Sequence, residues 1–319
     1  MRLPDFVVIG AAKAGTTSLY ALLDRHPQIF MPEIKEPEFF ARDDIYASGI
    51  EAYAQAYAQA EEGQIVGEAS TIYSLSPFFP ETAARMARHI PRAKLVYVLR
   101  EPVGRAYSYY VQIIKNYQNV TGDPGVHRSF EAFIDPEFPR DAGARDKVFS
   151  RANAHLPDDA ELCLAGSDYV HQIEAYLAHF PREQILFLKF EDFVQDRPAV
   201  LRQITDFLGV DPLASDVFDA EGVTQNVAAD HFRDWGDRIA VDRMRDKAGA
   251  AWALRQLVPK GLRKSLKRRF LRQRGAEAAQ THVPDRMQPD TRTRLQARYA
   301  AQQARLRELT GLTFDEWGL

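Results

Sequence analysis

Residues 5–25 read DFVVIGAAKAGTTSLYALLDR, and the order of residue types in that stretch decides the fold. DFVVIG at 5–10 is a short apolar run of strand length, the pattern of a strand buried on both faces. TTSLYALLDR at 16–25 has apolar residues at helical spacing behind Thr16 and Thr17, two hydroxyls suited to capping a helix start. Between them lie the small residues of GAAKAGTTS at 10–18. Gly and Ala, including Ala14 and Gly15, let backbone wrap closely around a ligand. The free N–H groups and dipole of a helix start favour a phosphate, with Lys13, Thr16, Thr17 and Ser18 as added donors. On composition alone, a strand–helix turn with an incidental lysine fits equally well.

Working outward, the unit recurs. KLVYVL at 94–99 is a second buried run, followed by Arg100, Pro102 and a helical pattern to about Asn119 carried by Val103, Tyr107, Tyr110 and Ile114. QIVGEAS at 64–70 and QILFLKF at 184–190 read as further strands, and PETAARMARHI at 80–90 and SDYVHQIEAYLAHF at 167–180 as helices. This alternation predicts an α/β fold: a central parallel β-sheet flanked by helices, with a P-loop-like first turn. The 319 residues suit a single domain over 1–319. Residues 31–60 and 115–160 are expected to roof an acceptor cleft, the second being Gly-, Pro- and Asp-rich around a helical RSFEAFID. A helix is expected over 290–310, stopped by Gly311, with Phe314 and Trp317 docked on the body.

Composition narrows the function. Lys and Arg total 41 against 44 Asp and Glu, a formal charge of −3 that gives no global drive toward nucleic acid. One cysteine, Cys163, excludes an intrachain disulfide and any cysteine-based zinc site. No stretch approaches the roughly 20 apolar residues of a membrane span, and the N-terminus lacks a signal-peptide pattern, so a reducing, cytoplasmic setting is expected. Positive charge is concentrated in the amphipathic segment 258–275, which carries eight Lys or Arg between 260 and 274 and no acid there, with Val258, Leu262, Leu266 and Phe270 spaced by four.

A nucleoside triphosphatase loop places its lysine immediately before the hydroxyl that holds magnesium. Here Lys13 precedes Gly15 and is separated from Thr16 by two residues, a position suited to the near end of a phosphate chain. KLVYVL ends in Arg100 rather than a metal-binding aspartate. A positive charge there repels magnesium and attracts a second anion.

These residues resemble the sulfotransferases that use 3′-phosphoadenosine 5′-phosphosulfate (PAPS). AAKAGTTSL is similar to the family's 5′-phosphosulfate loop, and VLREPVGRAYSYY, with Arg100 and Ser108 eight residues apart, to its 3′-phosphate motif. HPQIFMPEIKEPEFF at 26–40, GSDYVHQIEAYLAHFPREQILFLKFEDF and the terminal helix with Trp317 resemble the heparan-sulfate-type branch and its bacterial relatives, so the likeness covers most of the chain. The resemblance implies transfer of a sulfuryl group from PAPS to a hydroxyl, less readily an amine, with adenosine 3′,5′-bisphosphate as product and no metal required. It implies that Lys13 neutralises the departing phosphate, that Thr16, Thr17 and the loop amides hold its oxygens, and that Arg100 and Ser108 bind the 3′-phosphate. Asn226, beside Gln225, would contact the adenosine, and Glu36 would be the catalytic base, tuned upward by Glu38 and downward by Lys35.

The expected acceptor is a carbohydrate, a glycolipid or a small alcohol, contacted by Lys35, Glu38, Glu68 and Tyr73. Glu68 reads either as a second base candidate or as a satisfied buried polar group. Heparan-type enzymes often carry a lysine after this glutamate, whereas GEAS places Ala69 there, a departure that counts against a polyanionic acceptor. His26 reads as a structural helix cap; His127 and His155 as solvated loop residues; Tyr109 and Tyr169 as core or pocket aromatics. The basic stripe at 260–274 would close over the donor, touch an anionic membrane surface, or form a solvated helix face. Two other functions compete: a magnesium-dependent kinase with a degenerate P-loop, and a non-catalytic nucleotide-binding protein.

Overall fold

A computed structural model describes residues 1–121, 129–135, 159–213 and 285–319. Its centre is β1 (Phe6–Gly10), in which every residue is buried. A continuous apolar pentapeptide needs a covered partner on both faces and an inner place in the sheet, and it has both. β1 pairs in parallel with β3 (Ile65–Ala69) on one side and β4 (Lys94–Leu99) on the other. β2 (Ile29–Phe30) closes one edge and β5 (Ile185–Lys189) the other, giving the all-parallel order β2-β3-β1-β4-β5.

The chain leaves β1 through α1 (Thr16–Leu23) toward β2 and β3, then crosses to β4, so connections diverge on either side of β1. Where successive connections diverge, a crevice opens beyond the carboxyl ends of the strands, and parallel sheets bind ligands there. The hydroxyl cap expected from Thr16 or Thr17 is not formed. Gly15 is the N-cap residue, left-handed at φ 80, with no side-chain hydrogen bond to the first turn. A Cβ at Gly15 would also stand 3.1 Å from the Phe190 ring, so glycine meets both a backbone and a packing requirement.

Two short helices, α2 (Asp43–Tyr46) and α3 (Ile50–Ala54), follow β2, and α4 (Thr82–His89) leads into β4. After β4 comes α5 (Pro102–Thr121), whose start is capped by Glu101 Oε1 accepting from the Val103 amide at 2.9 Å. α6 (Phe130–Ile134), within RSFEAFID as expected, packs with α5 and α7 (Asp159–Ala165) around Tyr110, Phe130, Phe133 and Cys163. α8 (Tyr169–Leu177), α9 (Phe190–Gln195) and α10 (Arg197–Leu208) cover the β4–β5 side.

The helix expected over 290–310 is two helices, α11 (Pro289–Ala300) and α12 (Gln303–Thr310), with Gly311 left-handed after the second. Nothing in the helix-forming sequence YAAQQARL breaks it. The turn at Ala301–Gln302 lets Leu295 and Tyr299 enter the α5–α7 cluster while Leu306 enters the sheet core. Phe314 and Trp317 dock as expected, both nearly fully buried in that same core. Most of 115–160, the stripe 258–275, His127, His155, Gln225 and Asn226 lie outside the described residues.

Candidate active site

The turn after β1 carries Lys13 at the mouth of the crevice. Its backbone is left-handed at φ 72, as are Glu36 and Glu38 at φ 58, and these are the only non-glycine positions so held among the described residues. Left-handed conformations cost free energy at residues with a Cβ and persist where surrounding contacts enforce them. All three fall on the two loops that the sequence singled out.

The enforcing contacts at Lys13 are arginines. Arg100, at the end of β4, donates from Nη1 to the Lys13 carbonyl at 2.7 Å, and its guanidinium lies 4.5 Å over the Phe190 ring. Arg105, on the first turns of α5 and 1% exposed, donates to the Ala12 carbonyl at 3.3 Å, to Ser167 Oγ at 2.7 Å and to the Cys163 carbonyl. Two successive loop carbonyls are thereby held by the segment that runs from the end of β4 into α5. The Lys13 ammonium donates to Gln112 Oε1 at 3.2 Å.

Burial, then the nearby cations Arg100, Lys115 and Lys35, lower the Lys13 pKa to about 8, with Glu36 opposing. Four cations gathered at a helix start, one of them displaced this far from its ordinary value, form an electrostatic arrangement that a bound polyanion would relieve.

The second loop approaches from β2. Lys35, almost fully buried, donates to Thr17 Oγ1 at 2.7 Å and to Glu36 Oε1 at 3.0 Å, tying the candidate base to the phosphate loop. The Glu36 amide donates to the Ala69 carbonyl at 2.9 Å and the Glu38 amide to Ser70 Oγ at 3.3 Å. Arg42 lies 3.4 Å from the Glu38 carboxylate. Thus Lys13, Gly15, Thr16, Thr17, Lys35, Glu36 and Arg100 converge; Ala14 and Thr16 are buried beneath the loop, while Ser18 and, on α5, Ser108 are half-buried.

Glu68 and Tyr73, expected to touch an acceptor, are corrected by their burial: both are 0% exposed. The Glu68 carboxylate accepts from Tyr53, from Tyr57 at 2.9 Å and from Ser70 Oγ at 2.8 Å, and Tyr73 receives the Phe40 amide at 3.3 Å. Burial raises the Glu68 pKa and these hydrogen bonds oppose the rise. Glu68 is the satisfied buried polar group of the second reading, and it braces the loop from below. His26 is also structural, accepting the Gln28 amide on Nδ1 and bonding the Asp211 carbonyl through Nε2 at 2.7 Å.

Sequence reasoning passed over Arg105 and Gln112. Their signal was present: Arg105, Ser108 and Gln112 follow at i, i+3 and i+7, one face of a helix that begins at the Arg100 motif.

The Sulfotransferase domain family matches residues 3–234, which hold both loops. The chain belongs to the sulfotransferase family. It is 30% identical to the heparan sulfate glucosamine 3-O-sulfotransferase 3A1 of Mus musculus, over 67% of this chain and 48% of that protein. It is 29% identical to the membrane-associated sulfotransferase kil1 of Dictyostelium discoideum, over 70% of this chain and 60% of that one. This sulfotransferase therefore spans about half the length of the curated relatives it matches. A sulfotransferase from Alicyclobacillus acidocaldarius superposes with a TM-score of 0.61 at 24% identity, covering 100% of both chains, and shares the fold. The kinase alternative is not favoured by this membership, and the expected sheet and first turn stand. Among the described residues, no group of three His, Cys, Asp or Glu could hold a metal, and no helix is long and apolar enough to cross a membrane.

Proposed function

We propose that this chain transfers a sulfuryl group from PAPS to a hydroxyl, in preference to an amine, of a carbohydrate or glycolipid acceptor or a small alcohol, over a single domain spanning 1–319. The observation that carries the reading is the 2.7 Å bond from Arg100 to the Lys13 carbonyl, which joins the two anion-seeking motifs in one crevice. Their charges fit a doubly phosphorylated adenylate: a cationic, glycine-capped helix start for one end and a half-buried arginine for the other.

PAPS supplies an activated sulfur whose bond to the bridging phosphate oxygen breaks as the acceptor oxygen attacks in line. Lys13 stabilises the charge that grows on the leaving phosphate, with Thr16, Thr17 and the loop amides on its other oxygens. Arg100 and Ser108 hold the far end and so set the register of the reacting group. Glu36 takes the acceptor proton, and Lys35, bonded to both Thr17 and Glu36, keeps the base against the phosphate loop. These cations supply the charge stabilisation, and the transfer as proposed needs no metal.

Ala69, buried where heparan-type enzymes often carry a lysine, favours a neutral or weakly charged acceptor over a polyanion. Lys35 and Glu38 are retained as acceptor contacts and Asn226 as an adenosine contact. A cytoplasmic setting is proposed, with the stripe at 260–274 able to meet an anionic inner membrane surface. Sulfur-35 transfer from PAPS to a panel of neutral glycans, glycolipids, alcohols and desulfated heparan tests the reading. Label on a neutral acceptor supports it; label only on a polyanion, or on none with binding of ATP–magnesium instead, overturns it.

A further inference from the structure

Arg100 is held by three groups besides the phosphate loop. Tyr169 OH accepts from the Arg100 amide at 3.2 Å and donates to the Arg100 carbonyl at 2.8 Å; Phe190 lies beneath the guanidinium; and Glu191 Oε1 accepts from the Glu101 amide at 3.0 Å. Two of them, Tyr169 and Glu191, meet the C-terminal tail, and the residue before the third does so as well. Trp317 Nε1 donates to Glu191 Oε2 at 3.3 Å, the Trp317 and Tyr169 rings stand 6.2 Å apart, and Glu316 bonds Lys189, just before Phe190, at 2.6 Å.

The chemistry of Glu191 gives this arrangement a direction. A carboxylate only accepts, so its two oxygens bridge two donors, the Glu101 amide and the Trp317 indole, more than 200 residues apart in the chain. Trp317 is 3% exposed, so its N–H would go unsatisfied without Glu191, and Glu191 would turn without Trp317.

We propose that Trp317 is a positioning residue for donor recognition: through Glu191 it fixes the backbone at Arg100–Glu101 so that the arginine presents its fork to the 3′-phosphate. The C-terminal tail, beyond the stretch matched to the family, is then part of the donor site. The inference rests on the reading of Arg100 as the 3′-phosphate ligand.

The test compares two nucleotides by calorimetry on the full chain: adenosine 3′,5′-bisphosphate and adenosine 5′-phosphate, which lacks only the 3′-phosphate. Trp317→Phe keeps an aromatic ring and removes the N–H, and Glu191→Gln keeps the shape and removes one acceptor. Each is expected to lower the preference for the bisphosphate by about fivefold, the scale of one lost hydrogen bond. Arg100→Ala should abolish the preference. A merely structural tail would weaken both nucleotides in proportion and leave their ratio unchanged, and that result, or unaltered binding of both, overturns the inference while Arg100→Ala still supports the donor reading. If the wild type shows no preference, or Arg100→Ala retains it, the donor reading itself falls.

Discussion

Lys13 is a partly buried lysine surrounded by other cations, and its chemistry follows from that. Its pKa in the folded chain, about 8, lies below its ordinary 10.5, so between those values the folded state holds fewer protons than the unfolded. The contribution of Lys13 to stability is therefore lowest below pH 8 and rises with pH across the window. A bound phosphate reverses the balance by favouring the ammonium. Binding of adenosine 3′,5′-bisphosphate at about pH 9 should take up a proton, visible as a dependence of the calorimetric heat on buffer ionisation enthalpy. Lys13→Met should remove that dependence, and uptake unchanged in the variant would place the titrating group elsewhere. With an acceptor in hand, Lys13→Ala should lose about 10²–10³ in turnover. Arg105 is the neighbouring structural cation: Arg105→Met strips hydrogen bonds from Ala12, Cys163 and Ser167 and should destabilise the chain by about 3 kcal/mol in urea unfolding. A loss under 1 kcal/mol would show the loop to be held by other means.

At the scale of elements, β3 and the segment after it act as a floor for the loop that bears Glu36. Gly67 leaves room on the face of the sheet for the buried side chains of Phe6 and Met31, which a Cβ there would overlap. Gly67→Ala should cost about 1–3 kcal/mol of stability through overpacking, measured by thermal or urea unfolding, and a neutral effect would mean the sheet yields there. The elements legible in the sequence were those with a strong period. KLVYVL at 94–99 is β4 with no change of boundary, and the expected strands at 5–10, 64–70 and 184–190 differ from β1, β3 and β5 by a residue or two at their ends. Two features were not legible. β2 has only two residues and gains its partner through β3, so no periodicity marks it. The break between α11 and α12 arises because two cores claim faces of one helix-forming run, which local propensity does not register.

For the whole molecule, the proposed donor motifs were readable because two of them follow buried strands in one chain, each ambiguous alone, whereas the acceptor side depended on burial. GEAS looks the same on paper whether Glu68 faces a cleft or three hydroxyls. On the proposed reading, joining the two strand ends through Arg100 and Lys13 would make nucleotide binding a property of both loops together. Thermal unfolding should therefore shift upward with adenosine 3′,5′-bisphosphate in the presence of a chelator, and not with ATP; a shift with ATP that needs magnesium would restore the kinase alternative. The most direct test is a crystal structure of the chain with adenosine 3′,5′-bisphosphate. The 5′-phosphate is expected at Lys13, Thr16 and Thr17 and the 3′-phosphate of the same nucleotide at Arg100 and Ser108; a nucleotide that leaves either loop uncontacted would contradict the proposed donor site.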